Sequence, residues 1–134
     1  MERILVSMDT RNGAWEAWRR AIMLAKRIDA RVYALLVLPP DGNQAGHSGE
    51  KSESAIRTRL ELLIELAQTE GVRVDYFISE GSYEDELIRF IDNNKITLLV
   101  VEVPDGESRI RKILHRIACR VELVSPRKIM QTSE

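Results

Sequence analysis

Residues Arg3 to Pro39 form one uninterrupted unit: an apolar strand, a turn carrying a carboxylate, a helix with two tryptophans, and a second apolar strand. Ile4-Leu5-Val6-Ser7-Met8 runs straight into Asp9, and Arg31 to Leu38 repeats the apolar run about one helix later. A strand apolar at nearly every position is covered on both faces, which is the environment of a parallel sheet between helical layers. Parallel neighbours need a crossover connection, and such crossovers are right-handed. In open sheets of this kind ligands sit beyond the carboxyl ends of the strands, so Asp9 falls where a binding site is expected.

At 134 residues the chain fits one domain, 1–134, and is long enough to bury a real core. A formal net charge of −1 gives no global attraction to nucleic acid or to an anionic membrane. One cysteine, Cys119, excludes an internal disulfide and suits a reducing compartment. No stretch approaches the roughly 20 apolar residues needed to span a bilayer. The first strand begins almost at once, leaving no room for a signal peptide. These features point to a cytoplasmic protein that does not insert in membranes.

The rest of the chain continues the alternation of strand and helix. Ala14, Ala17, Trp18, Ala21, Ile22, Ala25 and Ile28 recur at helical spacing. Pro39-Pro40 stops the second strand, and the polar run from Asp41 to Ser52 reads as a mobile loop. A second helix is expected over 53–70, with Ile56, Leu60, Leu63, Ile64 and Ala67 inward and Gly71 as its stop. Val72 to Ser79 alternates as a half-exposed edge strand. Ser82 and Asp85 resemble a capping arrangement for a short third helix through Asn93. Ile96 to Val101 reads as a central strand. Ser108 is placed to cap a last helix that buries Ile110, Ile113, Leu114 and Ile117, before a final strand at Val121–Val124. The sum is a three-layer α/β domain with no linker and no repeat.

In this order and spacing the chain resembles the universal stress protein family. The first strand with Asp9 resembles that family's opening, and Leu35-Leu36-Val37-Leu38 its second strand. Ile96 to Val101 resembles the strand before its phosphate loop, with Thr97 in place of an Asp. Cys119-Arg120-Val121-Glu122-Leu123-Val124 resembles its closing strand. The resemblance implies a Rossmann-like, adenine nucleotide alpha hydrolase-like three-layer sandwich, with a five-stranded parallel sheet in the order 3-2-1-4-5. It also implies a stress-related function, and a nucleotide pocket contacted at the positions of Asp9 and Val37. Pairing of two subunits through the last strand, at Val121, Glu122 and Leu123, follows from the same resemblance, as does an occasional association of related domains with membrane transporters.

The departure from the family concerns the phosphates. ATP-binding members follow the fourth strand with Gly, two residues, Gly, nine residues, then Gly-Ser or Gly-Thr. Glycine lets backbone N–H groups approach the phosphates, and the next helix adds positive potential. Here Val101 to Arg109 contains only Gly106, and no Gly-Ser or Gly-Thr follows before Cys119. Glu102, Asp105 and Glu107 add carboxylates where an anion would bind, and like charges repel. Binding of ATP in the family's manner is therefore not expected. Asp9 and Val37 are then vestigial pocket positions, with a turn cap and a core residue as their structural alternatives.

Other candidates carry less. Trp15 and Trp18 are expected as packing residues in preference to a pocket wall. The basic run Arg109, Arg111, Lys112, His115, Arg116 occupies the solvated side of an amphipathic helix, so no nucleic-acid partner is expected. His115 and Cys119, four apart, lack a third ligand, so no metal is expected, and Cys119 reads as a structural thiol. No catalytic constellation is present, and no cofactor is expected. The reading is a homodimeric, non-catalytic regulatory or binding module with a possible protein partner. Its alternatives are a rebuilt site for AMP or a nucleoside, or a regulatory accessory to a membrane transporter. Arg120 and Glu122 are candidates for pairing across a two-fold axis.

Overall fold

The computed structural model of the chain describes residues 1–8, 13–39, 46–102 and 110–125. Its elements in chain order are β1 (Glu2–Met8), α1 (Trp15–Ile28), β2 (Ala30–Leu38), α2 (Gly46–Thr69), β3 (Arg73–Glu80), α3 (Tyr83–Asn94), β4 (Leu98–Glu102) and β5 (Arg120–Val124). Residues 110–113 are helical and continue into a 3₁₀ turn, Leu114–Arg116. All strand pairings are parallel, in the order β3-β2-β1-β4-β5. This is the expected sheet, and its helices lie on both faces.

The alternation of β1 decides how the layers divide. Ile4, Val6 and Met8 point to one face, where α1 supplies Ala17, Trp18, Ala21 and Ala25 and α2 supplies Leu60 and Ala67. The run of alanines lets α1 lie close to the sheet. Leu5 points the other way, into a second cluster with Leu35, Leu99, Val101, Leu87 and Ile91 of α3, and Ile110 and Ile113. Both clusters are closed to water, which is why the central strands are apolar at consecutive positions. The α2 helix ends at Gly71 in the left-handed region, with Val72 N–H donating to the Ala67 carbonyl, as the sequence anticipates.

Three expectations need correction. Residues 46–52, read as part of a mobile loop, form the first turns of α2. Once the turns over the sheet are fixed by packing, extension into a polar segment needs no buried face of its own. Ser82 does stand at the N-cap of α3, but its side chain makes no cap hydrogen bond; its hydroxyl meets Glu84 at 3.4 Å instead. The last helix leaves the α-helical path sooner than expected, after residue 113, and its expected cap Ser108 lies outside the described residues. The 3₁₀ tightening after residue 113 changes the angular step per residue. Leu114 is consequently turned outward at 45% exposure while Ile110 and Ile113 stay buried.

Candidate functional site at the carboxyl ends of the strands

On the α3 side of the sheet, the carboxyl ends of β1 and β2 present Ser7 and Val37. Ser7 is buried, and its hydroxyl shares a 2.7 Å hydrogen bond with the Tyr83 hydroxyl at the start of α3. Val37 is half-buried, packs against the same apolar cluster, and stands in register with Ser79 of β3. The Ser79 hydroxyl is bonded to Glu86, which also pairs with Arg89 at 2.6 Å. Gly81 is required beside them: a Cβ there would stand 2.9 Å from a Glu86 carboxylate oxygen, and φ is +147°. Asp9, the other sequence-derived pocket position, lies outside the described residues, as do the carboxylates Asp105 and Glu107.

The α1 side of the same rim is closed by Glu102. Its Oε1 accepts the backbone N–H of Glu16 at 2.9 Å and of Ala17 at 3.1 Å. The first N–H groups of a helix have no partner within it and carry partial positive charge. The local residue at the cap position, Ala14, has no side chain to offer and sits in the left-handed region at φ 62°. Gly13 precedes it at φ 88°, where a Cβ would collide with the Trp15 ring at 2.2 Å. The turn is therefore shaped so that the donors of α1 face β4, and a carboxylate from the last residue of β4 fills the place of a cap. One turn further along α1, Arg20 pairs with Glu122 of β5.

The remaining candidates also find places. Trp18 is buried under α1, whereas Trp15 is half-buried with the Arg59 guanidinium 4.4 Å above its ring. Thr97, standing where relatives are expected to carry an Asp, ties the amino ends of the strands together. Its hydroxyl accepts the Arg3 N–H at 2.9 Å and donates to Glu2 at 2.6 Å, while its carbonyl accepts the Arg120 N–H at 3.2 Å. That hydroxyl, ahead of Arg120, holds the Glu2 carboxyl below its ordinary pKa. Cys119 is half-buried against the second cluster, and desolvation raises its thiol pKa. Among the described residues no three His, Cys, Asp or Glu side chains are grouped to hold a metal ion.

At the sheet edge β5 pairs, among the described residues, with β4 alone, and its side chains alternate between the two faces. Val121 packs on the second cluster, Val124 packs on the first, and Leu123 is 48% exposed. Arg120 and Glu122, weighed as a pair across a two-fold axis, each have a partner within the chain: Glu2 at 3.2 Å and Arg20.

A profile of the Universal stress protein family matches residues 1–121. The chain belongs to the universal stress protein family. Among related proteins, universal stress protein MJ0531 of Methanocaldococcus jannaschii is 28% identical over 127 residues, covering 90% of this chain and 75% of that protein. Among solved structures, UspA of Lactobacillus plantarum superposes with a TM-score of 0.74 at 17% identity, covering 92% of this chain and 97% of the other. A universal stress protein of Archaeoglobus fulgidus in complex with dAMP superposes at 0.68 with 18% identity, covering 92% and 98%. At these identities the structural likeness speaks for the Rossmann-like α/β fold. No helix among the described residues is long and apolar enough to cross a membrane.

Sequence reasoning named Glu102 only as a repulsive charge and missed its part as the cap of α1. The signal was faint but present: Gly13-Ala14 precedes the helix with no Ser, Thr, Asp or Asn at the cap position.

Proposed function

We propose that this family member is a non-catalytic, stress-related regulatory or binding module: a single cytoplasmic domain, homodimeric through β5, that does not bind ATP. The observation that carries this reading is the Glu102 carboxylate seated on the first N–H groups of α1. A helix N-terminus at the carboxyl end of a parallel sheet, whether of α1 or of the helix that follows β4, can accept a phosphate. Here the α1 donors already serve an anion belonging to the chain, and the residues after β4 carry Gly106 alone in place of a glycine-rich loop. A triphosphate would have to displace Glu102 and then lie beside its charge. The edge position of β5 and the exposed Leu123 support the dimer.

A second reading is a rebuilt site for AMP or a nucleoside. It is favoured by the dAMP complex of the Archaeoglobus fulgidus neighbour. Native mass spectrometry with ATP, AMP and adenosine tests both, alongside the Leu123→Glu variant. At about 1 µM chain, below the range where weaker contacts are populated, a dimer mass unchanged by all three ligands, and a monomer for the variant, is the expected result. Titratable ATP would overturn the reading, and binding of AMP or adenosine alone would replace it with the second.

A further inference from the structure

The outer face of α2 is used by neither the sheet nor the proposed site. Leu62 and Leu66 stand outward on it, each 59% exposed. One to two turns toward its N-terminus the same side becomes a shallow trough lined by Ser54, Ala55, Thr58, Arg59 and Leu62. The exposed face thus has a ridge of two leucines in its C-terminal half and small side chains in its N-terminal half. Charge leans the same way: Glu50, Lys51, Glu53, Arg57 and Arg59 before residue 60 leave a net +1, and Glu61 and Glu65 after it give −2.

We propose that α2 is an interface with a second copy of this chain, packed antiparallel about a two-fold axis near residue 60. In that arrangement Leu62 stands over the partner's Thr58, and Leu66 over the partner's Ala55, so each ridge enters the opposite trough. Arg57 faces the partner's Glu61 and Glu65, and the two-fold axis repeats the contact on the other side. A parallel arrangement would set leucine on leucine and like charge on like charge. Within the chain Arg57 pairs with Glu53 at 3.3 Å, an exposed contact that leaves its guanidinium able to reach a second carboxylate.

The surface is distinct from β5. The α2 helix contacts β3, the edge strand opposite β5. One helix on one helix stands at the low end of interface sizes, below about 1,200 Å² in total, so the contact is weak and concentration-dependent. A chain with two such two-fold contacts assembles past the dimer, into a tetramer or a longer array.

Sedimentation velocity on the full chain, from about 1 to about 200 µM, tests this with β5 and α2 varied separately. In the Leu123→Glu background a monomer–dimer equilibrium is expected to remain, and adding Leu62→Glu should leave monomer throughout. Arg57→Glu alone, and Glu61→Arg with Glu65→Arg, should each weaken association about tenfold, and mixing the two variants should restore it. Monomeric Leu123→Glu protein at the highest concentration would overturn the proposal. So would an equilibrium untouched by Leu62→Glu, or a mixture no better than its components. If β5 is not an interface, wild type and Leu123→Glu behave alike and the α2 variants still decide.

Discussion

Removing the Glu102 carboxylate should destabilise the chain by an amount calculable from two hydrogen bonds and one helix end. In Glu102→Ala the N–H groups of Glu16 and Ala17 lose their acceptor, and Ala14 supplies no substitute. Loss of a cap costs typically about 1 kcal/mol, and loss of a charge beside the helix N-terminus a further 0.3–1 or so. Water reaches this half-buried rim and recovers part of the solvation, so the sum is about 1.5 kcal/mol. With a urea slope of about 1.5 kcal/mol/M, the unfolding midpoint should fall by about 1 M. Glu102→Gln keeps an acceptor oxygen but not the charge, and should lose about a third of that. Equilibrium urea unfolding reads the midpoints, and amide exchange reads Glu16 and Ala17 directly, both of which should lose protection in the alanine variant. A Glu102→Ala midpoint within about 0.2 M of wild type, or unchanged exchange at those amides, would refute the capping argument.

Thr97→Val removes the acceptor of the Arg3 N–H and the donor to Glu2, and should cost about 1–2 kcal/mol by the same unfolding assay. Glu2 has its carboxyl pKa lowered by folding, so its contribution is present above its unfolded pKa and is lost as pH falls through the folded value. Carboxyl NMR titration should therefore place Glu2 below an ordinary glutamate, and Thr97→Val should move it back up. The desolvated Cys119 thiol should alkylate more slowly than a free thiol at mildly alkaline pH and at the free rate in denaturant. Equal rates in both states would contradict its packing against the second cluster.

The fold was legible because its strongest signals are local. The runs Ile4–Val6, Val32–Leu36 and Leu98–Val101 can only be strands buried on both faces, and they occupy the centre of the sheet. The weak alternation of β3 marked it as an edge. The site was only half legible. Contacts that join residues about 85 to 102 apart, Glu102 to the start of α1 and Glu122 to Arg20, leave no periodic trace in sequence. A carboxylate at the end of a strand reads as a charge before it reads as a cap. The polar start of α2 was missed for a related reason: composition reports what a segment can bury, whereas a helix propagates from turns already fixed without needing apolar residues of its own.

The strand order has a consequence for synthesis of the chain. β1 emerges first and lies at the centre; β2 joins it, β3 joins β2, β4 takes the free side of β1, and β5 extends β4. Each new strand therefore finds its template already made and adds to an outer margin, and none has to be inserted between two that are already paired. The half-sheet β1–β3 can gather on the ribosome with α1 and α2 over one face while the other face waits for α3 and the last helix. Growth from the inside outward leaves few ways to pair out of turn, which favours vectorial folding with little need for rearrangement.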